Sequence, residues 1–277
     1  MTFIKKIVVT DLDGTLLRSN KIVSDIDLNT LIKLKESDIL RVIATGRSLY
    51  SAKKVLDIDF PIDYLIFSSG AGIIDWRTKE IIKAQHLSIL EVGTVYNHLN
   101  SLEVDFTIQK KIPFNHECLV IRKNRDNPDF MRRIEIYKDF CKEYLDGKDR
   151  FDEACQFIII VSEHKGVAVY SQIKKVFCDL NVIRATSPLD GKSIWIEIFP
   201  VSVSKANAAN WLANKFQIDQ TNSFAIGNDY NDLGLLNWAN HSLVVENAPL
   251  ELKKSFKTTN SCDSNGFSMA VSKWKLI

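Results

Sequence analysis

Two aspartates, Asp11 and Asp13, stand one residue apart at the end of the apolar run Ile7-Val8-Val9-Thr10 and are followed by Gly14-Thr15. A carboxylate can attack phosphorus and carry the group covalently. A second one can give a proton to a leaving oxygen and later take one from water. Side by side, the two repel unless a cation lies between them or one keeps its proton, and magnesium, which prefers hard oxygen ligands, suits the place. The plain alternative is an Asx-type turn with solvated carboxylates. Further along stand Thr45-Gly46-Arg47, Ser204-Lys205 and Gly227-Asn228-Asp229-Tyr230-Asn231-Asp232. A hydroxyl, backbone N–H groups and a lysine can hold the equatorial oxygens of a phosphoryl group. A metal can offset repulsion between an anionic nucleophile and an anionic substrate. Singly, Thr45 also reads as a helix cap and Lys205 as a solvated helix residue.

These residues need strands to hold them. Ile7 to Thr10 is β-branched throughout and reads as a short buried strand, which puts Asp11 and Asp13 at its C-terminal end, where open α/β sheets bind ligands. Gly14 permits the sharp exit. Ser24-Asp25-Ile26-Asp27 reads as a helix start, Leu40 to Ala44 as a strand ending at Thr45, Ser48 to Leu56 as a helix, and Tyr64 to Phe67 as a strand ending in Ser68-Ser69-Gly70-Ala71. This β-α-β-α-β order predicts an α/β fold with a doubly wound, Rossmann-like parallel sheet.

The rhythm then changes. A hairpin around Arg77-Thr78-Lys79, strands at Val104–Gln109, Cys118–Ile121 and Phe157–Val161, and a helix over Pro128–Leu145 predict an α+β insert, placed at 84–188. The core pattern is expected to resume after the turn Ser187-Pro188-Leu189-Asp190-Gly191, with Trp195 to Phe199 as a core strand. Ser204 is then expected to cap a helix with Lys205 in its first turn, and Asn222 to Ile226 to be a strand running into the Asn228–Asp232 loop.

The chain has 277 residues, 45% hydrophobic and 25% charged, with a net charge of +2. That is an ordinary globular balance, without the strong positive charge that draws nucleic acid or anionic membrane. No apolar run is long enough for a membrane span, and Asp11 and Asp13 interrupt any signal-like segment. The cysteines at 118, 141, 155, 178 and 262 form no CxxC pair. Reduced, packed thiols in a cytoplasmic protein are the expectation. The histidines show no metal spacing. Arg47 is read as reaching substrate or as a structural ion pair, and Glu197 as structural. Lys110, Lys111, His116, Arg122, Lys123 and Arg125 are read as a solvated face, with recognition of a second anionic group as the rival.

Asp11-Leu12-Asp13-Gly14-Thr15, Ile43-Ala44-Thr45-Gly46-Arg47, Val203-Ser204-Lys205 and Gly227-Asn228-Asp229-Tyr230-Asn231-Asp232 resemble the four motifs of the haloacid dehalogenase superfamily of phosphatases. The insert between the second and third motifs resembles the C2-type cap of its Cof-like and sugar-phosphatase branch. The resemblance spans the chain. It implies a catalytic core of 1–83 plus 189–277, a cap of 84–188, Asp11 as nucleophile and Asp13 as general acid/base. Thr45, Gly46 and Lys205 would bind phosphate, with Arg47, Asn231 and Asp232 in support. Mg2+ would be held by Asp11, the Asp13 carbonyl and a side chain of the fourth motif. Two positions depart from the pattern. Asn228 stands where an aspartate is usual, with Asp229 as the rival ligand, and Ser69 stands where an asparagine is usual.

The expected function is magnesium-dependent hydrolysis of a small-molecule phosphate ester, a sugar phosphate foremost, through an aspartyl-phosphate. A phosphomutase-type transferase would use the same intermediate with a second sugar as acceptor. A non-catalytic sugar-phosphate-binding regulator is the reading from another class, motivated by Asn228 and opposed by the presence of both nucleophile and acid. No nucleic-acid or membrane partner is expected.

Overall fold

The computed structural model describes residues 4–124, 126–145 and 150–277. It divides into two compact units, Met1–Lys83 with Ser204–Ile277, and Ala84–Val203.

In the first unit the chain runs β1 (Lys6–Thr10), α1 (Asp25–Glu36), β2 (Ile39–Ala44), α2 (Leu49–Ala52), β3 (Tyr64–Phe67), β4 (Gly72–Asp75) and β5 (Ile81–Ala84). Ser24 caps α1 by accepting the Asp27 N–H at 3.1 Å, a contact that contributes about 1 kcal/mol in typical helices. α2 is shorter than the Ser48–Leu56 helix predicted from the sequence, because the chain turns off after Ala52.

The second unit contains α3 (Ile89–Ser101), β6 (Phe106–Lys110), β7 (Cys118–Ile121), α4 (Pro128–Ile136), β8 (Cys141–Glu143), β9 (Ala154–Val161), α5 (Glu163–Val176), β10 (Leu180–Thr186) and β11 (Ile194–Pro200). The chain then returns to the first unit with α6 (Lys205–Lys215), β12 (Ser223–Gly227), α7 (Leu233–Trp238), β13 (His241–Val245), α8 (Leu250–Ser255), β14 (Thr258–Thr259) and α9 (Gly266–Lys273).

Among the described residues the first unit's sheet has the order β14-β13-β12-β1-β2-β3-β4-β5. The pairs from β14 through to β3 are parallel, and β4 turns back antiparallel on β3. β2 is buried at every position, as a strand covered on both faces must be. On one face Ile7, Val9, Leu40 and Val42 pack with Ala208 and Leu212 of α6 and Leu235 of α7. The order reverses between β1 and β12, since β1 continues to β2 on its other side. That reversal opens a crevice at the carboxyl ends of the two strands. Asp11 follows β1 and Asn228 follows β12, so the first and fourth motifs meet there.

The second unit's sheet has the order β10-β11-β9-β6-β7-β8. β11 is antiparallel to β10 and to β9, pairing Trp195 with Ala185 and with Ile160. This corrects the expectation that Trp195–Phe199 belongs to the core and that the core resumes at 189. The turn at 187–191 is the bend of a β10–β11 hairpin. The Ser187 N–H donates to the Ser193 carbonyl at 2.8 Å, and Asp190 Oδ1 accepts the Lys192 and Ser193 N–H groups, each at 2.8 Å. The predicted helix over 128–145 is also corrected. α4 stops at Ile136, and Cys141–Glu143 instead pair parallel with β7.

Three side chains of the basic cluster form ion pairs. Lys110 pairs with Glu117 at 2.6 Å, Lys111 with Glu153 at 3.3 Å and Arg122 with Glu143 at 2.6 Å; Arg125 lies outside the described residues. Glu197 is buried and accepts from Gln156 Nε2 at 3.5 Å. No described helix is long and apolar enough to cross a membrane.

Candidate active site

The Asp11 N–H donates to the Ile226 carbonyl at 2.9 Å, stitching β1 to β12 as the strands end. Its side chain is buried, as are those of Lys205 and Asp232. Lys205 Nζ lies 2.7 Å from Asp11 Oδ1 and 2.6 Å from Asp232 Oδ1. Lys205 reaches this position from the first turn of α6, whose cap Ser204 accepts the Asn207 N–H at 2.9 Å. The loop after β3 packs against that helix start. A Cβ on Gly70, whose φ is +108°, would lie 2.3 Å from the Ser204 carbonyl oxygen, so only glycine permits the approach.

Asp232 also holds the fourth-motif loop. Its Oδ2 accepts the N–H groups of Asn228 at 2.9 Å and Asp229 at 3.1 Å. A Cβ on Gly227 would lie 2.6 Å from the Asp232 side chain, so the turn after β12 needs a glycine.

Two buried carboxylates thus share one ammonium, and one negative charge is left over. Burial, then the Asp232 charge, raise the Asp11 carboxyl to about 7 against the pull of Lys205. For Lys205 burial works toward the neutral amine, but the two carboxylates outweigh it and hold the ammonium above its ordinary range. A divalent cation near Asp11 would offset the surplus charge.

Asp13 has cationic partners of its own. Arg47 grips it with both arms, Nε to Oδ2 at 2.6 Å and Nη2 to Oδ1 at 2.7 Å, and Lys21 adds a contact at 3.4 Å. Burial works toward the neutral acid, but Arg47 outweighs it and holds the Asp13 carboxyl below the usual range. The Asp13 carboxylate is thus committed to Arg47 and Lys21. What Asp13 presents beside Asp11 is its backbone carbonyl.

Asn228 fills the remaining corner. One terminal atom of its amide lies 3.1 Å from the Asp13 carbonyl oxygen, 3.1 Å from Asp11 Oδ2 and 3.2 Å from Thr15 Oγ1. As a nitrogen it donates to all three. As an oxygen it accepts the Thr15 hydroxyl and faces two other oxygens. Oxygens on adjacent corners of an octahedron, each ~2.0–2.1 Å from magnesium, are ~2.9 Å apart. The amide's spacings to the carboxylate and to the carbonyl are close to that edge, and the donor types suit the ion. No group of three or more His, Cys, Asp or Glu side chains gathers as a metal site among the described residues; this donor set has only one carboxylate.

Thr45 is buried at the end of β2, and its hydroxyl accepts the Arg47 N–H at 3.1 Å. Gly46 lies between two neighbouring loops, and a Cβ there would be 3.5 Å from Ser69 Oγ and 3.9 Å from Asn231 Nδ2. Asn231 Oδ1 is buried with no hydrogen-bond partner among the described residues. Asp229 contributes its backbone N–H to Asp232. Three residues given no role from the sequence also belong to this framework: Thr15 beside Asn228, Lys21 beside Asp13, and Asn247, whose Nδ2 donates to the Gly14 carbonyl at 2.8 Å. Thr15 was readable from its place after Asp-Gly, whereas Asn247 carried no local signal.

Asp11, Lys205 and Asp232 thus meet at the mouth of a sheet reversal. Residues 8–271 match the haloacid dehalogenase-like hydrolases, and the chain belongs to that family. The 5-amino-6-(5-phospho-D-ribitylamino)uracil phosphatase YwtE of Bacillus subtilis is 30% identical, over 94% of this chain and 95% of its own. A haloacid dehalogenase-like hydrolase from Bacteroides thetaiotaomicron superposes with a TM-score of 0.72 at 24% identity, covering 98% of this chain and 99% of its own. The subclass IIB sugar phosphatase BT4131 superposes with a TM-score of 0.77 at 18% identity, covering 99% and 100%. The protein is a phosphatase of this superfamily, a phosphoric monoester hydrolase.

Proposed function

We propose that the protein hydrolyses a small phosphorylated metabolite, a sugar phosphate foremost, with Mg2+ bound by Asp11 Oδ2, the Asp13 carbonyl and Asn228 Oδ1. The carrying observation is that the inner atom of the Asn228 amide lies 3.1 Å from both Asp11 Oδ2 and the Asp13 carbonyl, close to the edge of a magnesium octahedron, beside a buried site with surplus negative charge. It favours Asn228 over Asp229 as the fourth-motif ligand. When bound, the ion would neutralise charge shared between Asp11 and the phosphate.

Asp11 Oδ2 faces the ion's place, so Oδ1 is the oxygen that attacks phosphorus, with Lys205 2.7 Å from it to steady the anion. The phosphorus–ester oxygen bond breaks as the Asp11–phosphorus bond forms. Thr45, the backbone around Gly46 and Lys205 hold the equatorial oxygens. Asp13 gives the leaving oxygen its proton, then takes one from the water that releases phosphate. Arg47 favours the ionised form of Asp13, which suits the second step. The first step works against that pairing, so it should slow with poor leaving groups.

The sugar assignment is supported by the names of YwtE and BT4131, each a phosphatase of a sugar-like or sugar ester. The test is a screen of sugar phosphates, phosphoglycerate-type esters and nucleotides, with magnesium and with chelator. Release of phosphate from sugar esters only with magnesium is expected. Equal turnover in chelator would remove the metal, and turnover of nucleotides alone would remove the sugar.

A further inference from the structure

We propose that Asn228 is a two-position ligand: without metal its amide nitrogen occupies the ligand corner beside the cation's place and donates to the other ligands, and a divalent cation enters as the amide turns over to present its oxygen. This rests on the reading of the site as a magnesium centre. The amide's inner atom touches the Asp11 carboxylate, the Asp13 carbonyl and the Thr15 hydroxyl at 3.1, 3.1 and 3.2 Å. The carbonyl is always an acceptor and the carboxylate is one when ionised, so with Asp11 ionised and no cation only a donor is stable there. An aspartate in this place has no donor to give, and would bring a further negative charge to a pocket where Asp11 and Asp232 already outnumber Lys205.

The surroundings accept both positions. The amide torsion is broad and nearly two-fold, so a half-turn exchanges nitrogen and oxygen without a change of shape. Thr15 Oγ1 accepts from the nitrogen or donates to the oxygen. On the outer side the amide lies against Gly14, where a Cβ would come within 2.7 Å of Asn228 Nδ2; the missing side chain leaves room for either group. The Asn228 backbone stays fixed by its N–H bond to Asp232. Asn228 thus gives the metal-free site an internal substitute for the ion. The bound metal must displace those hydrogen bonds, which weakens its net affinity.

The test is thermal unfolding of the wild type, Asn228→Asp and Asn228→Ala in chelator and across a magnesium titration, with 15N spectra of the Asn228 side-chain amide. In chelator, Asn228→Asp should melt at least ~2–4 °C below the wild type, with Asn228→Ala between them. Magnesium should raise the melting point of Asn228→Asp more than that of the wild type, with a midpoint ~10-fold lower, as ligand charge tunes such sites. The wild-type amide resonances should shift on magnesium addition. If Asn228→Asp is as stable as the wild type in chelator while magnesium stabilises both, the nitrogen-in position is wrong and the metal centre stands. If magnesium moves neither melting point nor resonances, the metal centre falls and this proposal with it.

Discussion

Asp11 and Asp13 are two positions apart and have opposite electrostatic fates. Burial beside Asp232 raises the Asp11 carboxyl to about 7, whereas Arg47 holds Asp13 low. The difference lies in the partners: Asp11 shares its lysine with a rival carboxylate, and Asp13 has an arginine fork and Lys21. Asp11→Asn keeps the shape and removes the attacking charge. Turnover should fall by several orders of magnitude with the melting point near that of the wild type or above it, because a like-charge repulsion is gone. Steady-state kinetics beside a melting curve checks this, and wild-type turnover would end the assignment of Asp11 as nucleophile. Arg47→Lys keeps the charge and loses the two-armed grip. A charge-assisted hydrogen bond is worth about 1.5–3 kcal/mol, so kcat should drop about 10–100-fold with KM little changed. A rise in KM alone would mean that Arg47 holds substrate instead of Asp13.

Each loop at the mouth of the sheet is held by a close contact between elements. Gly227 shows it best: Ala there would push its Cβ into Asp232, whose carboxylate bonds Lys205 and the fourth-motif loop together. Gly227→Ala should cost about 1–3 kcal/mol and also lower kcat, whereas a stability loss with full kcat would show that the loop re-forms around the intruding methyl. In the second unit, Cys118 and Cys141 face each other on β7 and β8 with sulfurs 3.3 Å apart. Glutathione disulfide should convert the two thiols to a β7–β8 disulfide, releasing two glutathione thiols, while exposed Cys178 gives only a mixed disulfide. A peptide map without a Cys118–Cys141 cross-link would refute this. β1, β2, β3 and β12 were legible because each ends in its own polar motif and is buried along almost all of its length. The aspartates of the site could be named because they follow such strands, whereas Lys205 was named from the first turn of its capped helix, the strand before it belonging to the second unit. What the sequence hid was pairing between distant segments. A turn at 187–191 looks alike whether it ends a domain or bends a hairpin, and β11 declares its place only through β9 and β10. Apolar residues through 137–144 suit a helix stripe as well as a short edge strand, and the partner Cys118 decides for β8. Arg47 was left between substrate and ion pair because the turn that aims Asp13 at it is tertiary.

At the scale of the whole molecule, each unit has its own sheet and its own buried cluster. Ala84–Val203 also begins and ends at one place: Gln85 Nε2 donates to Ser202 Oγ, close to both borders. An insert whose ends meet can be cut out without leaving a gap in its fold. Residues 84–203 expressed alone should therefore give a folded protein with a cooperative thermal transition and dispersed NMR signals. The sequence-based border gives the contrasting piece, 84–188. It lacks β11, which lies between β10 and β9 and carries Ile194, Ile196 and Ile198 into the unit's core. Without that strand β10 has no partner in the sheet, β9 exposes an edge, and the core loses side chains that are at most 4% exposed. Losing one buried Ile side chain down to Ala costs about 2–5 kcal/mol, so losing three together is comparable to the whole stability of a typical domain. The shorter piece should be unfolded or aggregated. Equal cooperativity in both pieces would show that β11 is dispensable to this unit and that the border near 188 is the true one.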